Sequence, residues 1–280
     1  MVNPVTHNLK KYFRGEINYT TCPGCGNGIV AQAILWAIDD SGIDFDNYAF
    51  VSGIGCSGWI PSPAFNTDVL HVTHGRAIAF ATGLKLAAPN MKIIVTAGDG
   101  DTSAIGGNHF IHACRRNIDL TMICVNNQIY GMTGGQIAPT TPYLSKTTTT
   151  PYGSVERPFD LSKIAIAAGA TFVARWTTFQ ARQLRKTIAK AILHPGFSFV
   201  EIISQCPVQY GKVLKKRNDA VAMLMDYKER SINLKKAREL QKSELKDKII
   251  VGEFVEERNV PELTQEINRL REEALQKCQR

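Results

Sequence analysis

Short apolar or β-branched runs alternate along this chain with amphipathic segments. From Tyr48 to Ser204 the runs YAFVSGIG, KIIVTAG, LTMICVNN, TFVARW and FSFVEII each have the length of a strand. Between them, RAIAFATGLKLAA, AIGGNHFIHACRR and TFQARQLRKTIAKAIL carry apolar positions at helical spacing. That alternation is βαβ grammar and predicts an α/β fold: a doubly wound, mostly parallel sheet with helices on both faces. Gln128 to Pro158 interrupts the grammar with Gly, Thr and Pro and neither period. A loop of that length in a compact domain predicts either a functional role or an element that the pattern does not reveal.

From Lys212 onward the pattern changes. Charges of both signs crowd the segment, which predicts two or three helices, either a solvated extension or a subunit-docking arm. The expected division is an α/β domain over 1–211 and a charged helical C-terminal extension over 212–280. No segment repeats another.

With 280 residues and 44% hydrophobic side chains, the chain can build a substantial core, which excludes disorder for most of it. No run approaches the roughly 18 to 20 apolar residues of a membrane span, and the first residues lack the apolar centre of a secretory signal. A soluble, cytoplasmic protein with no membrane partner is expected. The net charge of +8 suits an acidic partner without identifying it, and no nucleic-acid motif accompanies it. Seven cysteines, an odd number in a chain too large to need disulfide staples, are read as reduced thiols or metal-cluster ligands.

The first chemical motif is TCPGCGNG. Cys22 and Cys25 sit on one tight turn whose amides can bond to sulfur, an arrangement that suits zinc, an iron–sulfur cluster or a redox disulfide about equally. Cys56 in SGIGCSGW and Cys206 in SQCPVQYG each end a strand-like run and can complete a four-thiolate shell, because ligands bind at strand C-termini in open α/β sheets. Cys114 on an amphipathic helix, Cys124 inside an apolar strand and Cys278 in the tail are expected to be packing or incidental thiols.

The second motif is GDGDTSAIGGNHF with ICVNNQIYG. After a strand, Gly98 and Gly100 let the backbone turn close to a ligand while Asp99 presents a hard oxygen. A second strand ends at Asn126 and Asn127. A carboxylate and an amide oxygen on adjacent strand ends suit Mg²⁺ holding a diphosphate, with phosphate and water supplying the other ligands. Gly53-Ile-Gly55-Cys-Ser-Gly58 formally fits a dinucleotide fingerprint, but Trp59-Ile60-Pro61-Ser62-Pro63 cannot open the helix that motif requires. Of the His pairs, His109 and His112 read as helix packing, whereas HVTHGR, with His71 and His74, precedes a helix and can face the site.

Taken together, CPGCG, GIGCSGW, HGRAIAFATGLKLA, GDGD…IGGNH, NNQIYGMTGGQ and the late Cys-Pro resemble the β subunit of 2-oxoacid:ferredoxin oxidoreductases over roughly residues 10 to 215. The resemblance implies that Cys22, Cys25, Cys56 and Cys206 hold one [4Fe–4S] cluster, and that Asp99, Asn127 and the carbonyl of Ile129 bind Mg²⁺. It implies that Ile54, Gly55, Cys56 and Ser57, with Gly98, Gly100, Asp101, Gly131 and Met132, line thiamine diphosphate, with His74 as a catalytic candidate. Cys56 stands in both sets, so cluster and cofactor should be neighbours.

The implied reaction is oxidative decarboxylation of a 2-oxoacid with coenzyme A, the electrons passing through the cluster to ferredoxin. GMTGGQ resembles the 2-oxoglutarate branch, whereas pyruvate-acting relatives carry a segment like YMNTGIQRS. Only one cofactor-binding half is visible, so an α subunit should supply the pyrimidine side, in an αβ or (αβ)2 assembly. Lys10, Lys11 and Arg14 before Cys22, and Lys212, Lys215, Lys216 and Arg217 after Cys206, are expected to gather on one rim and capture ferredoxin. A four-cysteine zinc scaffold would leave GDGD and the Asn pair unexplained, and a non-redox decarboxylase would leave the cysteines unexplained.

Overall fold

Eight strands form one sheet in the order β2-β1-β3-β4-β6-β5-β8-β7. A computed structural model describes residues 9–15, 20–216 and 218–278. Six strands come from the body: β1 (Tyr48–Ser52), β2 (Asp68–His71), β3 (Lys92–Gly98), β4 (Thr121–Asn126), β5 (Phe172–Thr177) and β6 (Ser198–Ile203). All of these run parallel, as their helix-bearing connections require.

The strands are buried on both sides because alternate residues feed two cores. Ile94 of β3, Ile123 and Val125 of β4, and Val200 and Ile202 of β6 meet helices α1 (Asn27–Ser41) and α5 (Ala181–Leu193) through Ile34, Leu35, Leu184 and Ile188. Ile93, Val95, Met122, Cys124 and Phe199 point the other way, to Ile78, Phe110 and Leu161 of α2 (Ala77–Ala87), α3 (Gly107–Arg116) and α4 (Leu161–Ala167). Cys114 and Cys124 both lie in this second core, where burial raises their thiols well above the ordinary range or to about 12 for Cys114. Helix α1 does not figure in the expected pattern, although Val30, Ile34 and Ile38 repeat at four-residue spacing and are fully buried.

The tail departs from helices alone. It contains α6 (Tyr210–Val213), α7 (Ala220–Arg230), α8 (Leu234–Ala237) and α9 (Leu263–Cys278), but also β7 (Ser231–Asn233) and β8 (Ile249–Glu256). Strand β8 pairs antiparallel with β5 and so closes the free edge of the body's sheet. No helix among the described residues is long and apolar enough to cross a membrane.

Chain reversal at β1 positions the site. From β1 the chain crosses to β2 on one side, then returns past β1 to β3 on the other. A crevice opens at such a switch point beyond the strand C-termini. The segments after β1, β3, β4 and β6 all empty into it.

Candidate functional site

Two cavities lie side by side at these strand ends. One, of about 290 Å³, is lined by Ile54, Gly55, Cys56, Ser57, His74, Gly98, Asp99, Gly100, Asp101, Asn127, Ile129, Gly131 and Met132, with Tyr130 and Thr133. Every non-sulfur residue expected at the cofactor or Mg²⁺ is therefore gathered here. The other cavity, of about 310 Å³, is lined by Cys22, Cys25, Cys56 and Cys206 together with Thr21, Trp59 and Gln209. Cys56, Asn127, Gly131 and Met132 border both.

The glycines of the motifs are where the backbone must pass closely. A methyl group at Gly100 would lie 2.4 Å from the Tyr130 ring, whose hydroxyl donates to the Gly100 carbonyl at 3.1 Å. One at Gly53 would meet a carboxylate oxygen of Asp101 at 1.7 Å. Asp101 is buried, and its Oδ1 accepts from the Gly75 amide at 2.5 Å while the Ile54 amide also bonds to the carboxylate. It thus ties together the turns after β1, β2 and β3. His74 Nδ1 lies 2.6 Å from the same Oδ1.

His71 has a different place. Its Nδ1 meets the Ser52 hydroxyl at 2.7 Å and its ring lies 5.8 Å from Trp59, so only His74 of the pair reaches the first cavity. On α3, His112 accepts from Arg115 and His109 is half-buried, as packing and polar contact predict. The dinucleotide-like glycines lead into a single 3₁₀ turn, Cys56–Trp59, with no helix to receive a pyrophosphate.

Asp99 is buried, and burial pushes its carboxyl up to about 6 despite bonds from the Thr140 hydroxyl and from backbone amides including that of Asn127. A buried carboxylate short of positive charge suits a divalent cation. Asn127 Oδ1 accepts from the Ile129 amide at 3.1 Å, folding the turn that carries both residues. Gln128, with φ of 63°, sits at its apex, and its carbonyl accepts from the Thr141 hydroxyl at 2.7 Å. The adjacent threonines Thr140 and Thr141 therefore clamp both halves of the proposed metal site. Sequence reasoning marked their loop as functional but not these residues, because a Thr-Thr pair in a Thr-rich loop carries no spacing signal.

The cysteines approach from three directions. Cys22 and Cys25 come from the turn before α1, where the Asn27 amide bonds to the Cys25 sulfur. Cys56 follows β1 and Cys206 follows β6. Burial first, and neighbouring sulfurs next, push Cys25 up to about 12 and Cys56 up to about 11. Thiols kept protonated by burial, and further by one another, need a cationic centre to become thiolates. Yet among the described residues no three His, Cys, Asp or Glu side chains converge on a point that a single metal ion would fill.

The tail packs against this second cavity. Tyr210 and Met223 form one apolar cluster with Cys206 and Ile129. Gly24, at φ of 74°, lies so close to α7 that an added methyl would be 2.5 Å from the Ala220 side chain. Of the first basic group, however, Lys11 does not reach this rim. Lys11 pairs with Asp39 at 2.8 Å near the C-terminal end of α1, and Arg14 bonds to the Thr67 carbonyl. Cys25 precedes the other end of that helix, about 20 Å away at 1.5 Å per residue. Lys212 does reach the cysteine cavity, donating to Gln209 on its wall at 2.9 Å. Lys215 is exposed nearby, Lys216 half-buried, and Arg217 lies outside the described residues.

Residues 53–202 match the family model of the thiamine pyrophosphate enzyme C-terminal TPP-binding domain. The chain is 53% identical to the 2-oxoglutarate synthase subunit KorB of Methanocaldococcus jannaschii, over 94% of its own length and 97% of the relative's. It is 38% identical to a 2-oxoacid:ferredoxin oxidoreductase subunit beta from Sulfolobus, over 88% and 84%. Among solved structures, a chain of the 2-oxoglutarate:ferredoxin oxidoreductase of Magnetococcus marinus, with 2-oxoglutarate, coenzyme A and succinyl-CoA bound, superposes with a TM-score of 0.84. Identity there is 32%, covering 95% of this chain and 90% of that one.

Proposed function

The chain belongs to the β subunits of the thiamine diphosphate-dependent 2-oxoacid:ferredoxin oxidoreductases, and on that premise we propose that it works on 2-oxoglutarate. With coenzyme A the products are succinyl-CoA and CO2, and two electrons leave for ferredoxin. The observation that carries this is the wall shared by the two cavities, in which Cys56, Asn127, Gly131 and Met132 face both.

Asp99, Asn127 and the Ile129 carbonyl would hold Mg²⁺ and through it the diphosphate. Cys22, Cys25, Cys56 and Cys206 would hold a [4Fe–4S] cluster. Four thiols spread around a cavity, with no point of convergence for one ion, support a polynuclear cluster over a zinc scaffold, since Zn–S bonds are only about 2.3 Å long. Thiamine diphosphate, when bound there, would supply a carbon nucleophile and an electron sink for decarboxylation of the 2-oxoacid. A cluster beside it supplies one-electron acceptance.

The chain's own residues do the binding and orienting. Asp101, on the cavity's wall, fixes the Ile54 and Gly75 amides. With Nδ1 of His74 against Asp101, its Nε2 is left to exchange a proton with the substrate or the coenzyme A thiol. Ile54 and Met132 are apolar yet exposed at the cavity, which supports coverage by an α subunit bringing the pyrimidine-side domain, as αβ or (αβ)2.

Anaerobic co-purification with the α partner tests the reading. Iron and acid-labile sulfide in equal amounts, with coenzyme A-dependent ferredoxin reduction by 2-oxoglutarate and not pyruvate, is the expected result. Stoichiometric zinc without sulfide would overturn the cluster assignment. Pyruvate as the better substrate would overturn the specificity.

A further inference from the structure

A charged network unused by the reaction lies directly behind the Asn126–Asn127 turn. Glu201, in the middle of β6, is 1% exposed. Its Oε2 accepts from Arg175 Nε on β5 at 2.8 Å and from the Ser162 hydroxyl on α4 at 2.6 Å. Arg175 also pairs with Asp160, the residue that caps α4. The other oxygen, Oε1, accepts from the Asn126 side-chain amide at 2.7 Å. Both oxygens of the buried carboxylate are thus hydrogen-bonded and one faces a guanidinium, which is what makes such a charge tolerable.

Asn126 passes that constraint on. Its amide has two ends of opposite polarity: Nδ2 points at Glu201, which leaves Oδ1 to accept from the Gln128 amide at 3.2 Å. Its main-chain carbonyl accepts from Ser204 at 2.9 Å, so the residue cannot swing away. The bond to Gln128 starts the turn that Asn127 continues by accepting from Ile129. We propose that Glu201 is a positioning residue for the metal-binding turn, acting through the polarity of the Asn126 amide.

The inference rests on the Mg²⁺ site proposed above. Only an acceptor at Glu201 Oε1 keeps the Asn126 oxygen directed at the turn. A Gln at 201 would give its oxygen to Arg175 and present an NH2 to Asn126. The Asn126 amide would then flip, setting its NH2 against the Gln128 amide, donor against donor. The turn would open although both side chains kept their size.

The test is a reciprocal exchange in the assembled complex. Thiamine diphosphate binding is followed by calorimetry across a Mg²⁺ series, with cluster absorbance and unfolding temperature as controls. Glu201→Gln should raise the half-saturating Mg²⁺ at least tenfold, and so should Asn126→Asp, which sets two carboxylates face to face. The double variant restores a donor at 201 facing acceptors at 126, and should return to within threefold of the parent. Should Glu201→Gln fail to assemble, Asn126→Ala removes the amide while leaving the Glu201–Arg175 pair whole, and should show the same tenfold rise. Unchanged Mg²⁺ demand in Glu201→Gln, or in Asn126→Ala where that variant stands in, overturns the proposal. Impaired single variants without recovery in the double mark a merely structural role and also overturn it. If the parent itself binds thiamine diphosphate without Mg²⁺, the metal site fails first and the inference falls with it.

Discussion

Cys56 and Cys206, from opposite ends of the body's sequence, flank one glycine: a methyl group on Gly131 would lie 3.6 Å from the sulfur of each. They follow β1 and β6, strands kept apart in the sheet by β3 and β4. The loop after β4 brings Gly131 between them, onto the wall that the cysteine cavity shares with the other.

That proximity supports the proposal of Cys206 as a cluster ligand despite its distance in sequence from Cys22 and Cys25. Cys206→Ala should lower iron content or convert the cluster, whereas Cys124→Ala, in the helix-covered core, should leave it whole. Iron analysis and electron paramagnetic resonance of the reduced proteins decide between them. Equal, full occupancy in both variants would remove Cys206 from the ligand set.

Asp99 makes metal loading sensitive to pH. Its carboxyl, raised by burial to about 6, is ionised at neutral pH and protonated below that value in the metal-free chain. Mg²⁺ must then displace a proton, so the half-saturating Mg²⁺ should be flat from pH 7 to 8 and rise about tenfold per unit below about 6. A raised carboxyl also costs the metal-free fold stability as pH climbs from about 4 through about 6, by at most about 3 kcal/mol, which Mg²⁺ should restore. Calorimetry and thermal unfolding with and without Mg²⁺ check both, and a Mg²⁺ demand independent of pH from 5 to 8 would count against the site.

Thr140 donates its hydroxyl to that same buried carboxylate. A hydrogen bond to a charged group contributes about 1.5 to 3 kcal/mol. Thr140→Val keeps the shape and removes the donor, so the Asp99 carboxyl should rise further and Mg²⁺-dependent cofactor binding should weaken, most of all below pH 7. Cluster absorbance should not change. Binding as tight as the parent's would show that the Thr140 bond does not tune Asp99.

Lys212, Lys215 and Lys216 would offer an acidic ferredoxin a positive approach to the cysteine cavity. Asp219 is exposed beside them and Asp226 lies 3.8 Å from the Lys216 ammonium, so the net charge there is modest. Steering of this kind is screened over about 8 Å at physiological ionic strength. Reversing Lys212 and Lys215 to Glu should slow second-order ferredoxin reduction several-fold and flatten its salt dependence. Reduction of a small uncharged acceptor should be untouched. An unchanged salt slope would place the docking face elsewhere.

The sequence by itself determined the chemistry that is carried by local spacing. CPGC on one turn, GDGD after a strand and the Asn pair after the next need only residue type and strand polarity to be read, because a parallel sheet sends every strand end to the same edge. It likewise separated Cys56 and Cys206 from Cys124, since a cysteine just past a strand differs visibly from one inside an apolar run. What it left out depends on partners distant in the chain. The antiparallel β8 is a short apolar run in a charged tail, and only a free edge at β5 decides that it becomes a strand. Lys11 and Lys212 look alike in sequence, yet the length of α1 carries one away from the cysteines while Gln209 holds the other beside them. Thr140 and Glu201 are ordinary loop and strand residues until folding sets one against Asp99 and the other against Asn126. Spacing reveals groups that act on the same turn or the same sheet edge; a buried hydrogen bond between separate segments exists only once packing has removed the water that would otherwise satisfy both ends.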